Sequence, residues 1–266
     1  MEPPCSNWNT TFFSGTGSTI PFRDTTAALS TFYGPEGVAY HESGALFIAD
    51  MLNNRIRNIL INPSGGAVTS TYAGNSQSAY ANGVGTLSRF NAPTGIASCQ
   101  ANLYVTDQRS HLVRMIVVAT SLVSTIAGSP TISGAIDGVG TNSRFFSPIG
   151  IACDTNSLYV ADSGNGRVRK ISRSTSNVST LAFGITGVYG VAVDTFNGFV
   201  YASSSFNYTL MRISPAGVLS SLAGRSKVRG SSNGVGSSAT FDSPKLLTLV
   251  HSSLLLVSDT KCIRGG

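Results

Sequence analysis

The stretch Phe145-Phe-Ser-Pro-Ile-Gly-Ile-Ala-Cys-Asp-Thr-Asn-Ser-Leu-Tyr-Val-Ala-Asp-Ser-Gly-Asn-Gly-Arg-Val-Arg-Lys-Ile171 decides the fold. It holds two apolar runs of strand length, Ile149–Ala152 and Leu158–Ala161, separated by a polar turn. After Gly-Asn-Gly comes the alternating run Arg167-Val-Arg-Lys-Ile171, and Asn177-Val-Ser-Thr-Leu-Ala182 closes the unit. Alternation with period two places successive side chains on opposite faces, so the unit predicts four short antiparallel strands.

Working outward, the unit recurs. Phe-x-x-Pro-x-Gly stands at Phe32/Pro35/Gly37, Phe90/Pro93/Gly95 and Phe145/Pro148/Gly150, with Phe241/Pro244/Leu246 and Gly190-Val-Ala-Val-Asp194 as weaker copies. The second strand recurs as Leu46–Asp50, Leu103–Asp107, Leu158–Asp162, Phe199–Ser203 and Leu255–Asp259. An Arg follows seven residues after the Asp at Arg57, Arg114 and Arg169, and Arg212 and Arg264 are expected in the same place. The anchors at 37, 95, 150, 190 and 246 lie 58, 55, 40 and 56 residues apart. Five sheets at such spacing predict an all-β fold, a β-propeller of five four-stranded blades over residues 1–266. The rival is part of a larger propeller, with the chain an excerpt.

Residues 9–15, Asn-Thr-Thr-Phe-Phe-Ser-Gly, resemble the fourth strands, and the last repeat stops before its own. The N-terminal strand is therefore expected to complete the last blade and close the ring, which removes exposed strand edges.

The run Asp137-Gly-Val-Gly, then Arg144-Phe-Phe-Ser-Pro-Ile-Gly-Ile-Ala, then Leu158-Tyr-Val-Ala-Asp-Ser-Gly-Asn-Gly-Arg-Val-Arg-Lys-Ile171 resembles the NHL repeat, and Asn82–Ile116 is a second clear copy. The resemblance implies a propeller that serves as a protein-binding, RNA-binding or occasionally enzymatic module. Fold alone does not choose among these. NHL-type lyases that process amidated peptides carry His between the Pro and Gly. Here that slot holds Glu36, Thr94, Ile149, Tyr189 and Lys245, which argues against a lyase.

Repeated residues call for repeated structural roles. The Phe residues are expected to pack between blades, the Asp to accept bonds from turn N–H groups, and the Arg to pair with those Asp. The net charge of +6 then says less about polyanions than it suggests. Gly-Val-Gly at 83–85, 138–140 and 234–236 reads as tight turns needing positive φ. His41, Cys99, Asp154, Asp194 and His251 fall near one offset after the anchor Gly. Zinc would accept such ligands, but any short polar residue suits that turn, so no metal, cofactor or catalytic residue is assigned. Cys99 and Cys153 read as small buried residues, and Cys5 with Cys262 as a candidate disulfide across the closure seam.

Three sequons, Asn9-Thr-Thr, Asn177-Val-Ser and Asn207-Tyr-Thr, are no more than chance supplies. No leader pattern is visible at Met1–Trp8, which leaves the compartment open, and no apolar run reaches about 18 residues.

The long interblade loops and the turns between second and third strands should emerge on one side. Candidate binding residues there are Tyr80, Arg89, Arg109, His111 and Arg144, together with Phe206 and Tyr208. Copy four departs from the pattern: its interblade loop is cut to Phe183–Val188, and its Ser203–Thr209 turn reads as two residues longer. The functional expectation is a monomeric, non-catalytic module binding a protein or peptide through this loop face. RNA is the alternative partner, if basic and aromatic side chains share the face.

Overall fold

The computed structural model describes residues 23–26, 30–61, 67–250, 254–260 and 262–265. The proposed closing strand and Cys5 lie outside the described residues, as does the side chain of Cys262.

Sheet one contains β1 (Thr25–Thr26), β2 (Pro35–Tyr40), β3 (Ala45–Asp50), β4 (Arg55–Ile61) and β5 (Ala67–Ala73). Sheet two contains β6 (Gly83–Val84), β7 (Pro93–Cys99), β8 (Asn102–Asp107), β9 (Leu112–Val117) and β10 (Leu122–Ala127). Sheet three contains β11 (Gly138–Val139), β12 (Pro148–Cys153), β13 (Ser157–Asp162), β14 (Arg167–Ser172) and β15 (Asn177–Phe183). Sheet four is β16 (Val188–Val193), β17 (Val200–Ser204), β18 (Thr209–Ile213) and β19 (Leu219–Ala223). The described part of sheet five is β20 (Leu247–Val250), β21 (Leu254–Asp259) and β22 (Cys262–Gly265). Every strand pairing is antiparallel, and the four main strands of each repeat pair in sequence order, so each sequence repeat is one meander. The fold is all-β, a five-bladed β-propeller.

Two compact units divide the chain, one carrying sheets one and two, the other sheets three to five. In the first unit, Phe47, Ile56, Ala73, Phe90, Leu103, Val105 and Ile116 share one core between adjacent sheets. Phe90 leaves no room beyond the end of β5, because a Cβ on Gly74 would lie 2.9 Å from its ring. The repeated Phe therefore packs between blades, as expected. The anchor Gly has a comparable reason. A Cβ on Gly37 would lie 2.5 Å from the Thr94 carbonyl oxygen, and one on Gly150 2.5 Å from that of Tyr189. Neighbouring first strands pack backbone against backbone there.

The structure adds a feature that the sequence pattern did not announce. Before reaching its own first strand, each long loop of the first three sheets pairs two residues with the outermost strand: β1 with β5, β6 with β10 and β11 with β15. The Gly-Val-Gly segments supply β6 and β11, and Gly85, Gly140 and Gly236 then turn with φ of 52°, 57° and 57°. That conformation is open to Gly at little cost.

Copy four needs a correction of register. Val188 pairs with Ser204 as Pro148 pairs with Asp162, so Ser204, not Ser203, occupies the Asp place. Met211 faces Ala202 as Arg169 faces Val160, so Met211, not Arg212, occupies the Arg place. The turn between second and third strands is four residues in every one of the first four blades, ending in a left-handed residue: Asn54, His111, Gly166 or Tyr208. The two extra residues sit in the first hairpin instead, Asp194–Phe199, with Phe196 92% exposed at its tip. Cys99 and Cys153 also depart from expectation. Each is disulfide-bonded, and no described cysteine is free.

Candidate functional site

The repeated Asp and Arg form a buried clamp. Arg169 donates through Nη1 to Asp162 Oδ2 at 2.9 Å and through Nη2 to the Ile136 carbonyl at 2.9 Å and Asp137 Oδ1 at 2.6 Å. Its guanidinium stands 4.9 Å over the Phe145 ring. Arg57 repeats the arrangement with Asp50, Asp24 and Phe32, and Arg114 with Asp107, Asn82 and Phe90. Arg264 reaches the Ser232 carbonyl and Asn233 over Phe241. Arg57, Arg114 and Arg169 are fully buried, a place arginine takes only when paired. Each clamp ties the long loop to the third strand of its own blade.

The carboxylates show the cost of that burial. Burial pushes the Asp107 carboxyl up to about 7 against the pull of Arg114, and likewise raises Asp162. Half-exposed Asp137 goes the other way. Although burial alone would raise it, bonds from Arg169 and Thr180 hold its carboxyl below the usual range. The four clamp arginines thus spend their charge on internal carboxylates and carbonyls, and Arg229 pairs on the surface with Asp242.

The described His and Asp side chains at that shared offset are engaged with protein partners. His41 Nδ1 meets Ser43 Oγ at 2.9 Å and Nε2 meets the Gln100 carbonyl at 3.0 Å. Asp154 accepts the Asn156 and Ser157 N–H groups and the Tyr159 hydroxyl. Asp194 accepts the Phe196 N–H and the Asn197 amide. His251 lies outside the described residues.

On blade two, four candidates gather at one end. Arg89 pairs with Ala81, beside Tyr80, and the Arg109 N–H donates to the Asn91 carbonyl at 3.0 Å. Arg109 is exposed, Tyr80 is 44% exposed, and Arg89 and His111 are half-buried. His111 holds the left-handed position of its turn. Arg144, half-buried, precedes the clamped Phe145.

Blade four is built differently. Ile185, Ser204 and Met211 stand where the other blades have Phe, Asp and Arg. The four-residue loop Gly184–Gly187 is held by its backbone: Ser204 Oγ donates to the Thr186 carbonyl at 2.5 Å and the Ser205 N–H to Gly187 O at 3.0 Å. Phe206 lies on Gly187, where a Cβ would come 2.6 Å from its ring, yet the ring remains 71% exposed. Tyr208, the other expected anchor, is half-buried against the cluster of Leu210, Phe241, Leu255 and Val257. The loop also meets blade three, since the Ile185 N–H donates to Gly166 O at 3.0 Å. Two aromatics missed in the sequence flank this contact. Phe183, 74% exposed, ends β15 immediately before the loop. Phe146, 44% exposed, lies on Gly164 of the neighbouring turn. Strand alternation would have pointed Phe183 outward, one residue after buried Ala182.

No family model matches the chain. It is 28% identical over 180 residues to NHL repeat-containing protein 2 of Bos taurus, which covers 63% of this chain and 24% of that protein. The Homo sapiens protein of the same name is 31% identical over 105 residues, 35% of this chain and 14% of that one. The chain thus spans no more than 24% of the length of these curated relatives. Among solved structures, a protein of unknown function from Bacteroides thetaiotaomicron matches with a TM-score of 0.71 at 17% identity, over 96% of this chain and 60% of that one. A chain of a nidogen/laminin complex matches at 0.63 and 14% identity, over 87% and 74%. Virginiamycin B lyase from Staphylococcus aureus matches at 0.53 and 12%, over 88% and 69%. At these identities the structural matches speak for the fold alone. The repeated motif, the five antiparallel sheets built on it and the curated relatives together show a five-bladed β-propeller that is similar to NHL-repeat proteins.

Proposed function

We propose that the chain is a non-catalytic module that binds a protein or peptide through the ends of blades three and four. The observation that carries this reading is the exposure of Phe146, Phe183 and Phe206 around the shortened loop Gly184–Gly187. Large rings exposed beside a low rim bury much area on binding and lose little side-chain entropy. Phe206 is held over Gly187 before any partner arrives, which lowers the ordering cost further.

The clamp arginines form no part of an RNA-binding surface. RNA recognition draws on free positive surface beside stacking rings, whereas the clamp arginines are committed inside the blades. Exposed cations stand beside candidate aromatics at two places: Arg109 with Tyr80 on blade two, and Lys227, whose N–H donates to the Asn207 carbonyl between Phe206 and Tyr208. Capture from source cells, with and without ribonuclease, tests the choice. A partner retained after ribonuclease and released by Phe183→Ala with Phe206→Ala supports the reading. Loss on ribonuclease treatment, with the double variant indifferent, favours RNA at blade two.

A further inference from the structure

Asn177, Asn207 and the bonded cysteines acquire a joint meaning in the structure. Protein disulfides persist in oxidising compartments, among them the secretory pathway in which Asn-x-Ser/Thr is glycosylated. Cys99 and Cys153 are both disulfide-bonded, which makes a solvent-exposed sequon in this chain a candidate acceptor.

The two described sequons differ in that respect. Asn177 opens β15, and the strand's alternation sets Asn177 and Ser179 outward, both exposed, while Val178 is 1% exposed. Asn207 is half-buried in the turn that carries Phe206. Its carbonyl accepts the Lys227 N–H at 3.0 Å, and Thr209 is 5% exposed. Asn177 and Phe183 lie at opposite ends of β15, about 20 Å apart at the usual strand rise. A glycan on Asn177 leaves the aromatic end clear, whereas one on Asn207 would cover it.

We infer that Asn177 is an N-glycosylation site and that the chain is suited to an oxidising, secretory compartment. In the transfer, the Asn177 amide nitrogen bonds to the anomeric carbon of a lipid-diphosphate-linked oligosaccharide. The lipid diphosphate leaves and the amide nitrogen loses one proton.

The test is secretion of the chain from cultured eukaryotic cells behind a heterologous leader. Peptide N-glycosidase digestion in heavy-oxygen water is followed by peptide mass spectrometry. The expected result is labelled aspartate at position 177 in most molecules, with one glycan-sized mobility step lost in Asn177→Gln. Alkylation before reduction should leave Cys99 and Cys153 unmodified. An unlabelled Asn177 in protein whose cysteines resist alkylation overturns the site. Secreted protein whose Cys99 and Cys153 alkylate freely overturns the compartment. Neither outcome bears on the aromatic end, which the partner experiment tests separately.

Discussion

Blades three and four show what the repeat is for. Blade three carries a long loop, and Arg169, Asp162 and Phe145 pin it. Asp137 extends the staple by accepting the Thr180 N–H at 3.1 Å. Blade four replaces Phe, Asp and Arg with Ile185, Ser204 and Met211, and its loop shrinks to Gly184–Gly187. The clamp and the loop are lost together. That is the expected coupling, since a buried Arg without its carboxylate and carbonyl acceptors is an uncompensated charge. The short loop needs only a serine hydroxyl and backbone bonds, and beside it Phe183 and Phe206 stay exposed.

The sharpest way to break this comparison is to impose blade four on blade three. Arg169→Met strands buried Asp162 and releases the loop, and should cost about 3–5 kcal/mol in denaturant unfolding. Adding Asp162→Ser should return at least about 1 kcal/mol of that, because the two side chains act as one unit. A loss that simply adds in the double variant would mean the clamp is not coupled.

A smaller effect is expected where first strands meet. Gly150→Ala places a methyl 2.5 Å from the Tyr189 carbonyl and 2.9 Å from Gly190 Cα. Backbone cannot swing aside as a side chain can, so a loss of about 1–3 kcal/mol should follow. The same substitution at half-buried Gly236, where an added Cβ would meet nothing within 4 Å, tests backbone conformation alone at φ 57°.

The clamp also predicts a pH dependence, through Asp107. Its carboxyl is raised by burial to about 7, so the native state binds more protons than the unfolded chain between the usual carboxylate range and that value. Its contribution is present at acid pH and lost as pH rises through about 7. Unfolding free energy measured from about pH 4 to 7 should therefore fall less steeply in Asp107→Asn. An identical slope in the variant would contradict the raised carboxyl.

Blades one to three were legible because period-two alternation and Phe-x-x-Pro-x-Gly repeat without gaps, and the Asp–Arg pairing follows from their fixed spacing. Copy four was misread by one residue because its two extra residues fit either hairpin. Only strand pairing puts them in Asp194–Phe199, which moves Ser204 and Met211 into the clamp positions. β6 and β11 are two residues each, too short for any periodicity. Of the candidate site, Phe206 was visible beside the short loop, while Tyr208, offered as a second anchor, is half-buried in its turn. Phe146 and Phe183 matter through the loop contact at Gly166 and Ile185, which no local pattern encodes.

The central claim is that the exposed aromatics around Gly184–Gly187 bind the partner. The direct measurement is the affinity of the captured, ribonuclease-treated partner for the unaltered chain and for Phe183→Ala with Phe206→Ala. The account predicts weakening by at least about 1 kcal/mol, roughly fivefold, with the unfolding midpoint unchanged. Unchanged affinity in a folded double variant would contradict it.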